Sequence, residues 1–141
     1  GLEQEVDYEG QAAMHLEFAA DPSEMGSYAL PVISGTPAVL DWEPLVRSVV
    51  DDVRRKAPVG VISARFHNGL IDAMVQVAAA AGQERVALTG GCFQNRLLTE
   101  RAAERLVAAG HEVLLHRHVP PNDGSISLGQ VAVAAARIKK E

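Results

Sequence analysis

The chain has 141 residues, 13 lysines and arginines against 18 aspartates and glutamates, a net charge of −5 and 48% hydrophobic residues, which is the composition of one ordinary globular domain. The acid excess argues against a nucleic-acid footprint, which would be basic, and a lone cysteine, Cys92, excludes both a disulfide framework and a Cys-pair zinc site. The longest apolar stretch, Met74 to Gly82, is broken by Gln76 and falls far short of the ~20 residues of a membrane span; no signal peptide opens the chain, and Gly1 in place of an initiator Met suggests an excised piece of something longer.

Residues 1–7 are polar and acidic and read as a flexible lead-in, with one domain over residues 8–141. From Glu9 to Ala20 the residues Ala12, Ala13, Leu16, Ala19 and Ala20 recur at helical spacing, and Asp21-Pro22 ends that helix. Tyr28 to Ile33 and Ala38 to Trp42, separated by Ser34-Gly35-Thr36-Pro37, carry a hairpin signature. The spacing predicts a second helix from Glu43 to Lys56, with Leu45, Val46, Val49, Val50 and Val53 inward and Asp51, Asp52, Arg54 and Arg55 outward. A longer helix follows from Val61 to Ala81, whose inner part, Ile71 to Ala81, is small and apolar enough to be enclosed on most sides.

Arg85 to Thr89 and Glu112 to Leu115 read as buried parallel strands, separated by a helix from Asn95 to Ala109 with Leu97, Leu98, Ala102, Leu106 and Val107 inward. A last helix runs from Ile126 to Ile138 into Lys139-Lys140. This order predicts an α/β fold with a parallel βαβα unit. Ligands in such units sit beyond the carboxyl ends of the strands, so the loops Gly90–Asn95 and His116–Ser127 should converge on one cleft.

Within the first loop, Thr89-Gly90-Gly91-Cys92-Phe93-Gln94-Asn95 runs from a strand into paired glycines at a helix start, where free N–H groups can bind phosphate. The same residues also fit a tight turn with Asn95 as N-cap. Asp123 of Asn122-Asp123-Gly124-Ser125 could begin a turn or cap the last helix, or it could serve as an oxygen ligand for a metal beside phosphates. His116 and His118 could form a two-histidine metal edge, but no third ligand sits at metal-site spacing. His67 fits a partly buried structural histidine, His15 and His111 fit the surface, and Cys92 fits either packing or a thiol activated at a helix start. Glu9-Gly10-Gln11 reads first as an N-terminal turn, with Glu9 favourable to the helix dipole.

Taken in order, Tyr8-Glu9-Gly10-Gln11-Ala12-Ala13, Ser63-Ala64-Arg65-Phe66-His67, Thr89 to Asn95, and Asn122-Asp123-Gly124-Ser125-Ile126-Ser127-Leu128-Gly129-Gln130 resemble the C-terminal, Kae1/TsaD-like region of the hydrogenase-maturation carbamoyltransferases of the HypF family. The last two motifs are similar to elements of the wider TsaD and TobZ group. The resemblance implies one lobe of an actin/sugar-kinase/Hsp70-like (ribonuclease H-like) fold, helix-rich with a short mixed sheet. It also implies an activity: carbamoyl phosphate and ATP form carbamoyl-adenylate, and the carbamoyl group passes to the C-terminal cysteine of HypE, in the cytoplasm. By motif, Asp123 would be a ligand of a divalent metal at the nucleotide phosphates, Gly90 and Gly91 would bring backbone N–H groups to the nucleotide, Asn95 would touch the adenylate, and Glu9 and Gln11 would lie on the ribose side. Met14 stands where the TsaD-like proteins carry an acidic residue.

The acylphosphatase-like, zinc-finger and YrdC-like modules of the family are absent, as is its H-x-x-x-H metal pair, so zinc belongs to modules this sequence lacks. The expected partners are HypE and the missing N-terminal portion, with an exposed apolar face that favours self-association. The alternatives are a non-catalytic nucleotide-binding or HypE-docking module and, on the same fold, a kinase lobe.

Overall fold

The computed structural model describes residues 3–138, so Gly1 and Leu2 of the expected lead-in and Lys139-Lys140 after the last helix lie outside the described residues. Residues 3–7 carry no helix or strand. The elements are α1 (Gln11–Ala19), β1 (Val32–Ile33), β2 (Val39–Leu40), α2 (Glu43–Arg54), α3 (Val59–Ala81), β3 (Arg85–Leu88), α4 (Arg96–Ala108), β4 (Glu112–Leu115) and α5 (Ile126–Ile138), with 3-10 turns at Gly91–Gln94 and Asp123–Ser125.

The α/β class holds, and β3 and β4 pair in parallel, Arg85 opposite Glu112 through Leu88 opposite Leu115, with α4 as the crossover. The hairpin is present as well, antiparallel, with Val32 opposite Leu40. It forms a sheet of its own, so the two pairs do not join into one mixed sheet. Neither strand of the parallel pair is enclosed on both faces: Leu88 is buried, while Leu114 and Leu115 stay 45% and 44% exposed.

Helix α3 is the centre of the molecule. One side of it packs with Leu88, Leu98, Ala102 and Leu106 through Ile71 and Ala78, and the other meets Tyr28, Leu30 and Leu45 through Ala73. Full burial of each large aliphatic side chain contributes about 1.5–3 kcal/mol. The enclosed stretch lies earlier than periodicity suggests, at Ser63 to Ala73, because the last two turns keep Gln76, Val77, Ala79, Ala80 and Ala81 exposed.

Close approach fixes the second side of α3. A Cβ on Gly69 would lie 2.5 Å from the carbonyl oxygen of Tyr28, so only glycine lets the helix meet that extended segment. The Tyr28 amide donates to the Arg65 carbonyl (3.1 Å), and the buried Asn68 side chain donates to the carbonyls of Gly26 (2.8 Å) and Glu24 (3.2 Å). Asn68 in turn accepts from Arg101 of α4 (2.8 Å), whose other terminal nitrogen reaches the Pro22 carbonyl (2.9 Å).

Further sequence-based expectations change. The apolar stripe of α1 contains no buried residue; Ala12 and Ala13 are exposed, and only Leu16, Ala19 and Ala20 are half-buried. On α2 only Leu45 is buried, while Val46, Val50 and Val53 are 43%, 40% and 54% exposed. Asp52, expected outward, faces Tyr28 and Arg65: the tyrosine hydroxyl donates to it at 2.7 Å and the guanidinium at 3.2 Å. On α4, Val107, expected inward, is 60% exposed. The last helix, α5, has no buried residue, and Ile126, Leu128, Val131, Val133 and Ile138 are all more than half exposed.

The Tyr28 hydroxyl, together with the Arg65 guanidinium, holds the Asp52 carboxyl below the usual carboxylate range, while burial and Asp52 push the Tyr28 hydroxyl up. A depressed carboxylate pKa stabilises the fold above the unfolded value of about 4 and loses that contribution as pH falls through the folded value. Urea midpoints of the chain and of Asp52→Asn should therefore differ at pH 7, with the gap beginning to narrow near about pH 4 and closing only as pH falls through the lowered folded value; a constant gap across that range would show that Asp52 does not act through its charge. Leu106 is 0% exposed, and Leu106→Ala should lower the unfolding free energy by about 2–5 kcal/mol in the same titration.

Candidate functional site

The two polar loops meet at one hydrogen bond. The Gly90 amide donates to the Pro121 carbonyl at 2.7 Å, which ties the turn after β3 to the loop after β4. Gly90 has φ +108°, a conformation that disfavours any side chain. The same bond consumes the Gly90 N–H, so that amide is not free for a ligand. The amides of Gly91 and Cys92 head the 3-10 turn Gly91–Gln94, where the geometry provides no intrahelical acceptor.

The start of α4 is also filled. Asn95 is its N-cap, with Oδ1 accepting from the Leu98 amide at 2.8 Å. Glu17, near the end of α1, reaches the same helix end and accepts from the amides of Arg96 (2.7 Å) and Leu97 (3.2 Å). A carboxylate at a helix N-terminus is favoured by the dipole and satisfies otherwise unpaired donors. The anion place expected at this helix start is thus taken by a side chain of the same protein. The Gly91 and Cys92 amides, at the head of their turn, are not engaged by Glu17 or Pro121.

By seating itself on α4, α1 closes a cleft of about 480 Å³ between its own face and the glycine turn. Glu9, Met14 and Phe18 line it from α1 and its approach; Gly91, Cys92, Asn95 and Arg96 line it from the other side. Arg96 is a firm cation there, since its pairing with Glu100 (2.7 Å) raises its pKa. Of the residues the sequence singles out, Glu9, Gly91 and Asn95 come together in this cleft. Gln11 does not line it; its side-chain oxygen accepts from the Asp7 amide at 2.6 Å.

Asp123 lies two residues past the Pro121 anchor, exposed, outside the lining of that cleft. The capping role goes to its neighbour: Asn122 Oδ1 accepts from the Gly124 amide at 3.1 Å, so Asp123 is not the cap of the turn. His116 bonds Thr89 (2.9 Å) across the ends of the two parallel strands. Among the described residues no group of three or more His, Cys, Asp or Glu could hold a metal, so the His116/His118 edge finds no third ligand. His111 contacts the Gln83 carbonyl (2.9 Å) and His15 contacts Glu3.

His67 is buried, as a structural histidine should be, at 3% exposure. Its Nδ1 is 2.8 Å from the Ser63 carbonyl and its Nε2 is 2.9 Å from Asn95 Nδ2. Ser63 itself is fully buried and donates to the Leu16 carbonyl of α1. Glu17 was not legible as a site residue, because its partners lie 79 and 80 positions away. The only hint in the sequence is an acid among the small and apolar residues of the α1 stripe.

Comparison with known proteins decides the family. The family model described as "Carbamoyltransferase, Kae1-like Domain, second subdomain" matches residues 1–130. The chain belongs to the HypF carbamoyltransferase family. It is 38% identical to carbamoyltransferase HypF of Synechocystis sp. over 93% of its length and 17% of the relative's. With HypF of Rhizobium leguminosarum bv. viciae the identity is 39%, over 96% of this chain and 18% of that one. A full-length HypF solved in a phosphate- and nucleotide-bound form superposes with a TM-score of 0.88 at 38% identity, covering 95% of this chain and 18% of that one. The HypF of T. kodakarensis, at 24% identity and a TM-score of 0.79 over 99% of this chain and 18% of its own, shares the fold. The chain therefore spans about a fifth of the length of the HypF relatives it matches.

Because Glu17 satisfies two amides of α4, Glu17→Ala in this HypF subdomain should cost about 1 kcal/mol of stability, as a lost N-terminal cap does. Amide exchange at Arg96 and Leu97 should accelerate with it. Unchanged exchange at both positions would mean that α1 is not seated on α4 through this carboxylate.

Proposed function

We propose that this chain forms one wall of a HypF carbamoyl-transfer site, in which carbamoyl-adenylate, made from carbamoyl phosphate and ATP, gives its carbamoyl group to the C-terminal cysteine thiol of HypE and releases AMP. The observation that carries this reading is the 0.88 TM-score to a HypF in a phosphate- and nucleotide-bound form, on a chain whose cleft brings Glu9, Gly91 and Asn95 together. In this reading Asn95 meets the adenylate, and the Gly91–Cys92 amides receive a phosphate oxygen. Gly90 acts by holding the turn against Pro121, and Glu9 faces the ribose side. Gln11 contributes through the Asp7 backbone and not through the ligand.

Asp123 is the one carboxylate assigned to a divalent cation. An exposed aspartate that caps nothing suits a hard cation such as Mg²⁺, whose near-octahedral coordination takes further oxygens from phosphates and water. A cation here would draw its other protein ligands from outside these residues, given the absence of a three-ligand cluster among the described ones. Zinc finds no site around the single free Cys92.

The partners in this reading are HypE and the rest of the HypF polypeptide, which would pack on the exposed valines of α2 and on α5. The same apolar faces would drive self-association of the segment alone. No helix among the described residues is long and apolar enough to cross a membrane; the cytoplasmic location is part of the proposal and follows from the reading as a HypF.

The test is ATP- and HypE-dependent carbamoylation, read by intact mass, for this segment alone, for a HypF carrying it, and for that HypF with Asp123→Ala. Transfer is expected only in the longer protein, and Asp123→Ala should reduce it by about 100-fold or more while the urea midpoint stays unchanged. Carbamoylated HypE from the segment alone, or full activity in the variant, would refute the assignment.

A further inference from the structure

We propose that His67 is a positioning residue for the nucleotide site, holding the Asn95 side-chain amide in a single orientation; this rests on the reading of Asn95 as an adenylate contact. The geometry leaves one consistent assignment of protons. Asn95 Oδ1 accepts from the Leu98 amide at 2.8 Å, so its Nδ2 must be the atom facing His67 Nε2 at 2.9 Å. That nitrogen donates, hence His67 Nε2 is unprotonated and accepts. The imidazole proton then sits on Nδ1 and goes to the Ser63 carbonyl at 2.8 Å.

A flip of the Asn95 amide would turn two good bonds into two repulsive contacts, its NH₂ against the Leu98 N–H and its oxygen against the bare Nε2 lone pair. The amide is therefore locked from both ends, and its second N–H remains for a ligand in the cleft that Asn95 lines. His67 is 3% exposed and its bond to the half-buried Asn95 is part-buried, and an apolar side chain at 67 would fill the space without fixing the amide.

The experiment measures the KM for ATP and kcat of HypE carbamoylation in a HypF carrying this segment, with His67→Leu, His67→Gln, Asn95→Ala and the His67→Leu/Asn95→Ala pair. His67→Leu is expected to raise KM about tenfold with kcat within about twofold. Glutamine, whose side-chain oxygen can accept from Asn95, should bring KM back to within about threefold of the parent. In the double variant KM should be no higher than in Asn95→Ala, since the two residues act as one unit. An unchanged KM in His67→Leu alongside a raised one in Asn95→Ala, or increases that multiply in the double variant, overturns the positioning role and leaves the nucleotide site standing. An unchanged KM in Asn95→Ala removes Asn95 from the site and this inference with it. Should His67→Leu fail to fold, the ¹⁵N imidazole spectrum of the 141-residue chain decides: the Nδ1–H tautomer is expected, and the Nε2–H tautomer overturns the proposal.

Discussion

Helix α3 carries three polar side chains into the interior, Ser63, His67 and Asn68, at 0%, 3% and 5% exposure. Each must find a partner, because a buried polar group left unpaired costs about 1–3 kcal/mol. Their partners lie on other segments: the Leu16 carbonyl of α1, Asn95 at the cap of α4, the carbonyls of the 24–26 loop, and Arg101. Among the described residues no buried side-chain nitrogen or oxygen lacks a partner. Satisfying this polar seam places α1, the loop before the hairpin and the head of α4 relative to one another. The two apolar clusters on either side of α3 provide the driving force, and the seam selects which arrangement they stabilise.

The site inherits its shape from that seam. Once α1 is placed by Ser63 and by the Glu17 carboxylate on α4, the approach to α1 brings Glu9 opposite Gly91 and Asn95. Glu17 has an electrostatic consequence as well. It occupies the positive end of α4, and both Glu17 and Arg96 line the cleft. The Gly90–Pro121 bond then couples the glycine turn to the loop holding Asp123, so that the two halves of the reading, nucleotide and metal, share one backbone anchor.

The apolar layers are only half filled. On α2 one residue is buried while three valines of the same stripe face outward, and every residue of α5 is exposed. A helix of 13 residues gains little from intrinsic propensity in water and depends on packing of its apolar face. The chain spans 17% to 18% of the length of these relatives, and under the proposed function the rest of the HypF polypeptide would cover these stripes.

Local signals were legible in the sequence because their physics is local. The spacing of Leu98, Ala102 and Leu106 specifies a buried helix face, Asn95 is a cap by its side-chain chemistry, and the order strand, helix, strand over Arg85–Leu115 requires a parallel pair with a crossover. The motifs around Tyr8, Ser63, Thr89 and Asn122 carry the HypF family. What depends on long-range pairing was not legible. Asp52 reads as an outward charge until Tyr28 and Arg65 are brought to it. Glu17 acquires its role only where α4 begins beside it, and the Gly90 amide reads as a free donor until Pro121 takes it. The enclosed part of α3 depends on which neighbours arrive, so composition misplaced it by two turns. Periodicity states which face of an element can be buried; only the tertiary structure decides what covers that face, because burial and hydrogen-bond satisfaction belong to pairs of segments and not to either one.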